Sequence, residues 1–174
     1  MPQGLLPQDV LVLAKLVSYG SVRPPIAQVA GDVALSSSQV HASLKRLGRS
    51  RLTDLQTGRP LLKAVEEFLI HGVKYAFPAQ RGEATRGIPT GYAAPPLNAQ
   101  IGQADLPSVW PDAEGGVRGI TFEPLHKAVP RAALRDPALY EFLALIDALR
   151  DGRVRERRLA EKELSARLRT FLRD

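Results

Sequence analysis

The chain has 174 residues, enough for one domain, or for one domain with a helical appendage. It has no cysteine, which excludes disulfides, thiolate nucleophiles and cysteine-bound zinc or iron–sulfur centres. The net charge is +6, with 44% hydrophobic and only 6% aromatic residues, so the expected core is aliphatic and the expected partner acidic.

Residues 7–18 place Val10, Leu11, Leu13, Ala14, Leu16 and Val17 after Asp9, with Gly20 beyond, and predict a helix buried on most sides. No basic segment precedes this run and no small-residue cleavage pattern follows it, so it reads as a globular helix rather than a signal peptide. Residues 25–33 carry Ile26, Val29, Ala30 and Val33 at helical spacing behind Pro25. Residues 36–48 hold the best local signal. Ser36 and Gln39 form a capping box, Leu35 and Val40 a hydrophobic staple, and Gly48 a stop. On that helix Val40, Leu44 and Leu47 share one face. Ser38, Ala42, Lys45 and Arg49 share the opposite one, flanked by Gln39, His41 and Arg46.

Residues 60–72 predict a fourth amphipathic helix. Two β-prone arms follow, Val73–Ala79 and Gly87–Ala93, around a glycine-containing turn with Arg81 and Arg86 near its tip. Residues 94–130 read as a linker or ordered loop holding Trp110, the only tryptophan, as an anchor on the core. Asp136 and Pro137 open a strong helix to Arg150, and residues 153–173 form a more charged one. Its basic run from Arg153 to Arg158 reads as a solvated face.

Charge is uneven. Residues 1–60 carry seven Lys/Arg against three Asp/Glu, residues 131–174 eleven against eight, and residues 91–130 two against four. Arginine outnumbers lysine 18 to 6, which points to a bacterial source with a GC-rich genome. No stretch of 18 uninterrupted apolar residues occurs, so a cytoplasmic protein without a membrane partner is expected.

Signs of catalysis are few. Gly82 to Gly87 has P-loop glycine spacing, but Ile88 and Pro89 stand where Lys and Ser/Thr are needed. His41, His71 and His126 are isolated, Glu66 and Glu67 point apart, and the serines at 36–38 lack a nucleophile-elbow setting. No catalytic residue, metal site or cofactor is expected.

The segment from Ile26 to Asp54 resembles the winged helix-turn-helix of MarR-type bacterial transcription regulators. The resemblance rests on Leu35, Ser36, Ser38, Val40, Leu44 and Leu47 and covers about residues 5–60. It implies double-stranded DNA as partner, a homodimer, and a mainly α fold with a small β-hairpin (α+β). The implied layout is a DNA-binding domain over 1–93 with a hairpin wing, a loop over 94–130, and a C-terminal helical hairpin over 131–174 that pairs subunits. The expected contacts are Ser37, Ser38, Gln39, His41, Ala42, Lys45, Arg46 and Arg49, with Arg81 and Arg86 from the hairpin. The sequence departs from that class after the third helix, where only a stunted wing fits around Thr57, Gly58 and Arg59. The competing expectation is a protein-interaction module, such as an antitoxin-like or complex-assembly subunit, with an apolar patch beside Trp110 or the last helix.

Overall fold

The computed structural model describes residues 4–172. Helices α1 (Pro7–Ser18), α2 (Ile26–Val33) and α3 (Ser37–Arg49) pack on one another. The turn between α2 and α3 is short. Ala34 adopts the left-handed conformation (φ 55°), and the Leu35 N–H closes back onto the Ala30 carbonyl at 3.0 Å.

The fourth helix is longer than expected. α4 (Leu62–Glu67) continues through a π-helical turn, Phe68–Gly72, into α5 (Val73–Ala76). Gly72 keeps right-handed angles (φ −107°, ψ −37°) and so does not stop the helix. The wider π turn keeps Val65, Leu69 and Val73, spaced four apart, on one buried face. Val73 therefore belongs to a helix, which corrects the first arm of the expected hairpin.

The rest of that hairpin is also corrected. Residues expected to form its turn lie inside one strand, β1 (Arg81–Pro89). β1 pairs antiparallel with β3 (Val117–Phe122) along its first part and with β2 (Ser108–Pro111) along its last. β2 and β3 run parallel, Ser108 opposite Ile120, and close a three-stranded barrel. The segment 94–130 thus supplies two strands. Two glycines of the ladder allow close backbone approach. A Cβ on Gly87 would stand 2.0 Å from the Trp110 carbonyl oxygen, and one on Gly119 2.0 Å from that of Pro107.

Helices α6 (Val129–Arg135), α7 (Pro137–Asp151) and α8 (Val154–Phe171) complete the chain, α6 being absent from the sequence expectation. α7 is the central element. It packs on α1, α5, α6 and α8, and its residues from Phe142 to Leu149 are all buried. One hydrophobic cluster runs from Val10 through Val65 and Trp110 to Leu168, so all three parts of the expected layout share a core. The architecture is mixed α and β, as the α+β expectation held in its coarse form.

Gly87→Ala and Gly119→Ala are expected to destabilise the protein by about 3 kcal/mol each through overpacking. Gly116→Ala, with nothing within 4 Å of its Cβ position, should stay within about 0.5 kcal/mol of the parent. Urea denaturation of the three variants measures the contrast.

Candidate nucleic-acid interface

Helix α3 starts from the cap that its sequence encodes. Ser36 Oγ accepts from the Gln39 N–H at 3.1 Å, and the Ser36 N–H donates to Gln39 Oε1 at 2.9 Å. Gln39 is exposed, but its side-chain oxygen is taken by this cap. The apolar face turns inward as expected, with Val40 and Leu47 buried and Leu44 half-buried. Ser37, Ser38, His41, Lys45 and Arg49 are exposed and Ala42 half-buried, so the outward stripe also has the expected membership.

Arg46 is the exception. It is 8% exposed and forms a bidentate pair with Asp9 of α1, Nε to Oδ2 at 2.8 Å and Nη2 to Oδ1 at 2.8 Å. Asp9 is fully buried, and its Oδ2 also accepts the Leu6 N–H at 2.8 Å. The Asp9 hydrogen bond holds the Arg46 guanidinium above its ordinary pKa against the opposing effect of burial. Arg46 therefore sets how α3 lies on α1, with its Nε and Nη2 committed to Asp9 and Ser43. The sequence signal was a lone carboxylate at the head of an apolar helix, which needs a buried partner.

The helix ends later than Gly48. Arg51 takes the left-handed position (φ 57°), and the Leu52 N–H returns to the Leu47 carbonyl at 3.0 Å. Gly48 instead makes room for Leu55, whose Cδ2 would lie 2.9 Å from a Cβ there. A minimal ribbon follows at once, with Thr53 bridged to Pro60. Its turn is built by Asp54, whose Oδ1 accepts from the Gln56 N–H, the Thr57 N–H and the Thr57 hydroxyl at 3.0, 2.7 and 2.8 Å. These bonds, led by the Thr57 N–H, hold the Asp54 carboxyl below its usual range. Arg51 and Arg59 are exposed on this ribbon. A single-bridge ribbon thus follows α3 directly, and residues 73–93 form no hairpin.

Arg81 and Arg86 are not brought to α3 by a hairpin. Arg81 pairs with Asp151 of α7 and donates to Ser108 Oγ at 3.3 Å. Arg86 is exposed in mid-strand, opposite Arg118. Trp110 is fully buried, its Nε1 donating to Asp147 at 2.7 Å, so it anchors the core. Among the described residues no three His, Asp or Glu side chains group as metal ligands, and no helix is long and apolar enough to cross a membrane. Comparison with protein-family models, curated proteins and solved structures gives no match.

The α1–α3 unit is tied to the rest by a second polar cluster. Lys15 Nζ lies 2.6 Å from Asp136 Oδ2 and 3.8 Å from Asp32 Oδ2. The Tyr19 hydroxyl donates to Asp32 at 2.5 Å, and burial, then Asp32, push its pKa up. Burial would raise the Asp136 carboxyl, but Lys15 and the Leu139 and Ala138 N–H groups outweigh it and hold it below the ordinary range.

Two outcomes follow. Arg46→Ala leaves Asp9 buried without its partner and should cost about 3–5 kcal/mol in thermal or urea unfolding, whereas Asp9→Leu with Arg46→Met should recover most of it. For Asp136, a depressed folded pKa means stability that is present above the unfolded carboxyl pKa, about 4, and lost as pH falls through the folded value. The stability gap between the parent and Asp136→Asn should therefore narrow from pH 6 towards pH 2, as urea midpoints across that range will show.

Proposed function

We propose that the protein is a DNA-binding transcriptional regulator in which α3 enters the major groove and the Thr53–Pro60 ribbon lies beside it on the backbone. One observation carries this reading. The outward stripe of α3 is polar and basic, and no carboxylate occurs from Leu35 to Thr53. Short side chains at its N-terminal end, Ser37 and Ser38, permit close approach to base edges. Lys45 and Arg49, further along, can reach phosphates or a guanine edge.

The backbone at both ends of α3 supports the reading. Ala34 and Arg51 are the non-glycine residues with positive φ among those described, and they bracket this helix. Left-handed non-glycine residues cost roughly 1–2 kcal/mol and gather at functional sites. Arg51 carries its charge at the base of the ribbon, where glycine would relieve the backbone at the loss of a cation. A two-fold dimer, which such regulators use, would set two copies of α3 about 34 Å apart on the duplex.

The test is fluorescence anisotropy on duplex DNA from upstream of the coding sequence, over a salt series. Affinity should fall steeply with salt, and Lys45→Ala and Arg49→Ala should each reduce the slope by about one. Arg51→Gly should keep stability or raise it by up to about 1 kcal/mol while weakening binding. Absence of salt-dependent binding, or unchanged binding in both α3 variants, sinks the assignment.

A further inference from the structure

The antiparallel register of β1 and β3 sets Arg86 directly opposite Arg118, so the two side chains leave the ladder on the same side. Both are exposed. Among the described residues neither side chain makes a hydrogen bond or an ion pair, although Asp105, Asp112 and Glu114 lie in the flanking loops. A sheet disfavours like charges in this relation. Two neighbouring guanidinium groups with all their donors uncommitted suit the oxygens of a phosphate group, which the planar fork fits.

Arg118 also stands in the wall of a cavity of about 320 Å³, which opens between that end of the barrel and the turns Gly91–Ala93 and Leu97–Ala99. The size falls in the range of small-ligand clefts, roughly 300–1,000 Å³. Its wall is mixed. Ile101 supplies apolar surface, Tyr92 an aromatic ring, Asn98 and Gln103 two amides, and Asp105 a carboxylate. Among the described residues the side chains of Tyr92, Asn98, Gln103 and Asp105 make no hydrogen bond or ion pair, so the fold leaves all of them uncommitted. An amide presents donor and acceptor side by side, as a base edge does, and aromatic rings carry stacked bases. A carboxylate accepts from ribose hydroxyls.

We propose that this cavity binds a nucleotide, its phosphate at Arg118 and Arg86 and its base against Tyr92 beside the two amides. Arg86 lies outside the wall itself, so the phosphate stays at the rim, where its charge keeps water, and the uncharged base fills the interior. The site is carried by the barrel and the segment before β2, and it does not depend on α3 reading DNA. The nucleotide is either free or one unit of a single strand, and both present this chemistry.

Isothermal titration calorimetry with the ribonucleoside monophosphates, and with adenosine and inorganic phosphate alongside, tests the site. At least one monophosphate should bind saturably, and adenosine at least about tenfold more weakly, the loss of a charge-assisted bond. Arg118→Gln and Arg86→Gln should each weaken the monophosphate at least about tenfold, and Tyr92→Leu by a similar factor through lost stacking. Circular dichroism of each variant confirms folding. A second arm measures anisotropy on a single-stranded oligonucleotide over a salt series. If no monophosphate binds but the strand does, and the two arginine variants each lower its salt slope by about 0.7, the nucleotide is that of a single strand. Absence of binding in both arms overturns the proposal, as does binding that persists in both arginine variants, or inorganic phosphate binding as tightly as the monophosphates.

Discussion

Asp147 places a carboxylate inside α7, only 2% exposed, and the way it is satisfied organises half of the molecule. Its Oδ2 accepts from Thr90 Oγ1 and Trp110 Nε1, both at 2.7 Å, and its Oδ1 from Arg150 Nη1 at 2.8 Å. Burial pushes this carboxyl up, while Arg150, Thr90 and Trp110 pull it down. Donors face both oxygens, one of them a guanidinium, so the arrangement satisfies the charged form. Arg150 in turn donates to the Phe77 and Pro78 carbonyls and stacks over Phe122. One ion pair therefore joins α7 to the end of the helix at Ala76, to the strand ladder and to the barrel's tryptophan. Apolar burial supplies most of the stabilisation but has no preferred direction. The Asp147 cluster supplies the direction, because removing any donor leaves a buried charge short of a partner.

The same logic recurs at the other end of the core. Helix α1 is almost wholly buried, yet it carries Asp9 and Lys15 inward. Asp9 grips Arg46 of α3, and Lys15 grips Asp136 at the start of α7. Asp136 also caps α7, accepting from the Ala138 and Leu139 N–H groups at 3.0 and 3.2 Å. Two buried pairs on one helix thus orient the α1–α3 unit against the central helix.

The sequence was legible where local chemistry decides structure. The Ser36–Gln39 cap, the apolar stripe of α3 and the Asp136–Pro137 start of α7 all depend on residues within one turn of each other. It was less legible where distant residues decide. Gly82 and Gly87 carry the same sequence signal whether they open a turn or admit a crossing strand, and only Trp110 and Thr121, far along the chain, resolve which. The fourth helix was expected to end at Gly72 because a π turn leaves no periodicity mark over so few residues. Arg46 sits at the border of the outward stripe by angle alone. Its inward turn is decided by a carboxylate 37 residues earlier. The ribbon at Thr53–Pro60 is a single bridge, too short to show strand alternation, although Asp54 and Thr57 are turn formers by type.

These constraints act on α3 from one side only. Val40, Ser43, Arg46 and Leu47 are buried and accounted for by packing or by Asp9. Ser37, Ser38, His41, Lys45 and Arg49 contribute nothing to that core, and among the described residues no side chain from another element bonds to them. Folding alone constrains these positions weakly, because exposed single substitutions change stability by no more than about 0.5 kcal/mol, with the helix dipole favouring a cation at Arg49 in the last turn. Packing therefore leaves the basic, carboxylate-free character of that stripe largely unspecified. Asp136 caps α7 and Asp147 lies further along it, about 17 Å away on the helix axis, so one rigid helix holds both the barrel and the unit that presents α3. On the proposed reading, a stripe so firmly mounted meets a partner whose charges are fixed in space, as those of a nucleic-acid backbone are.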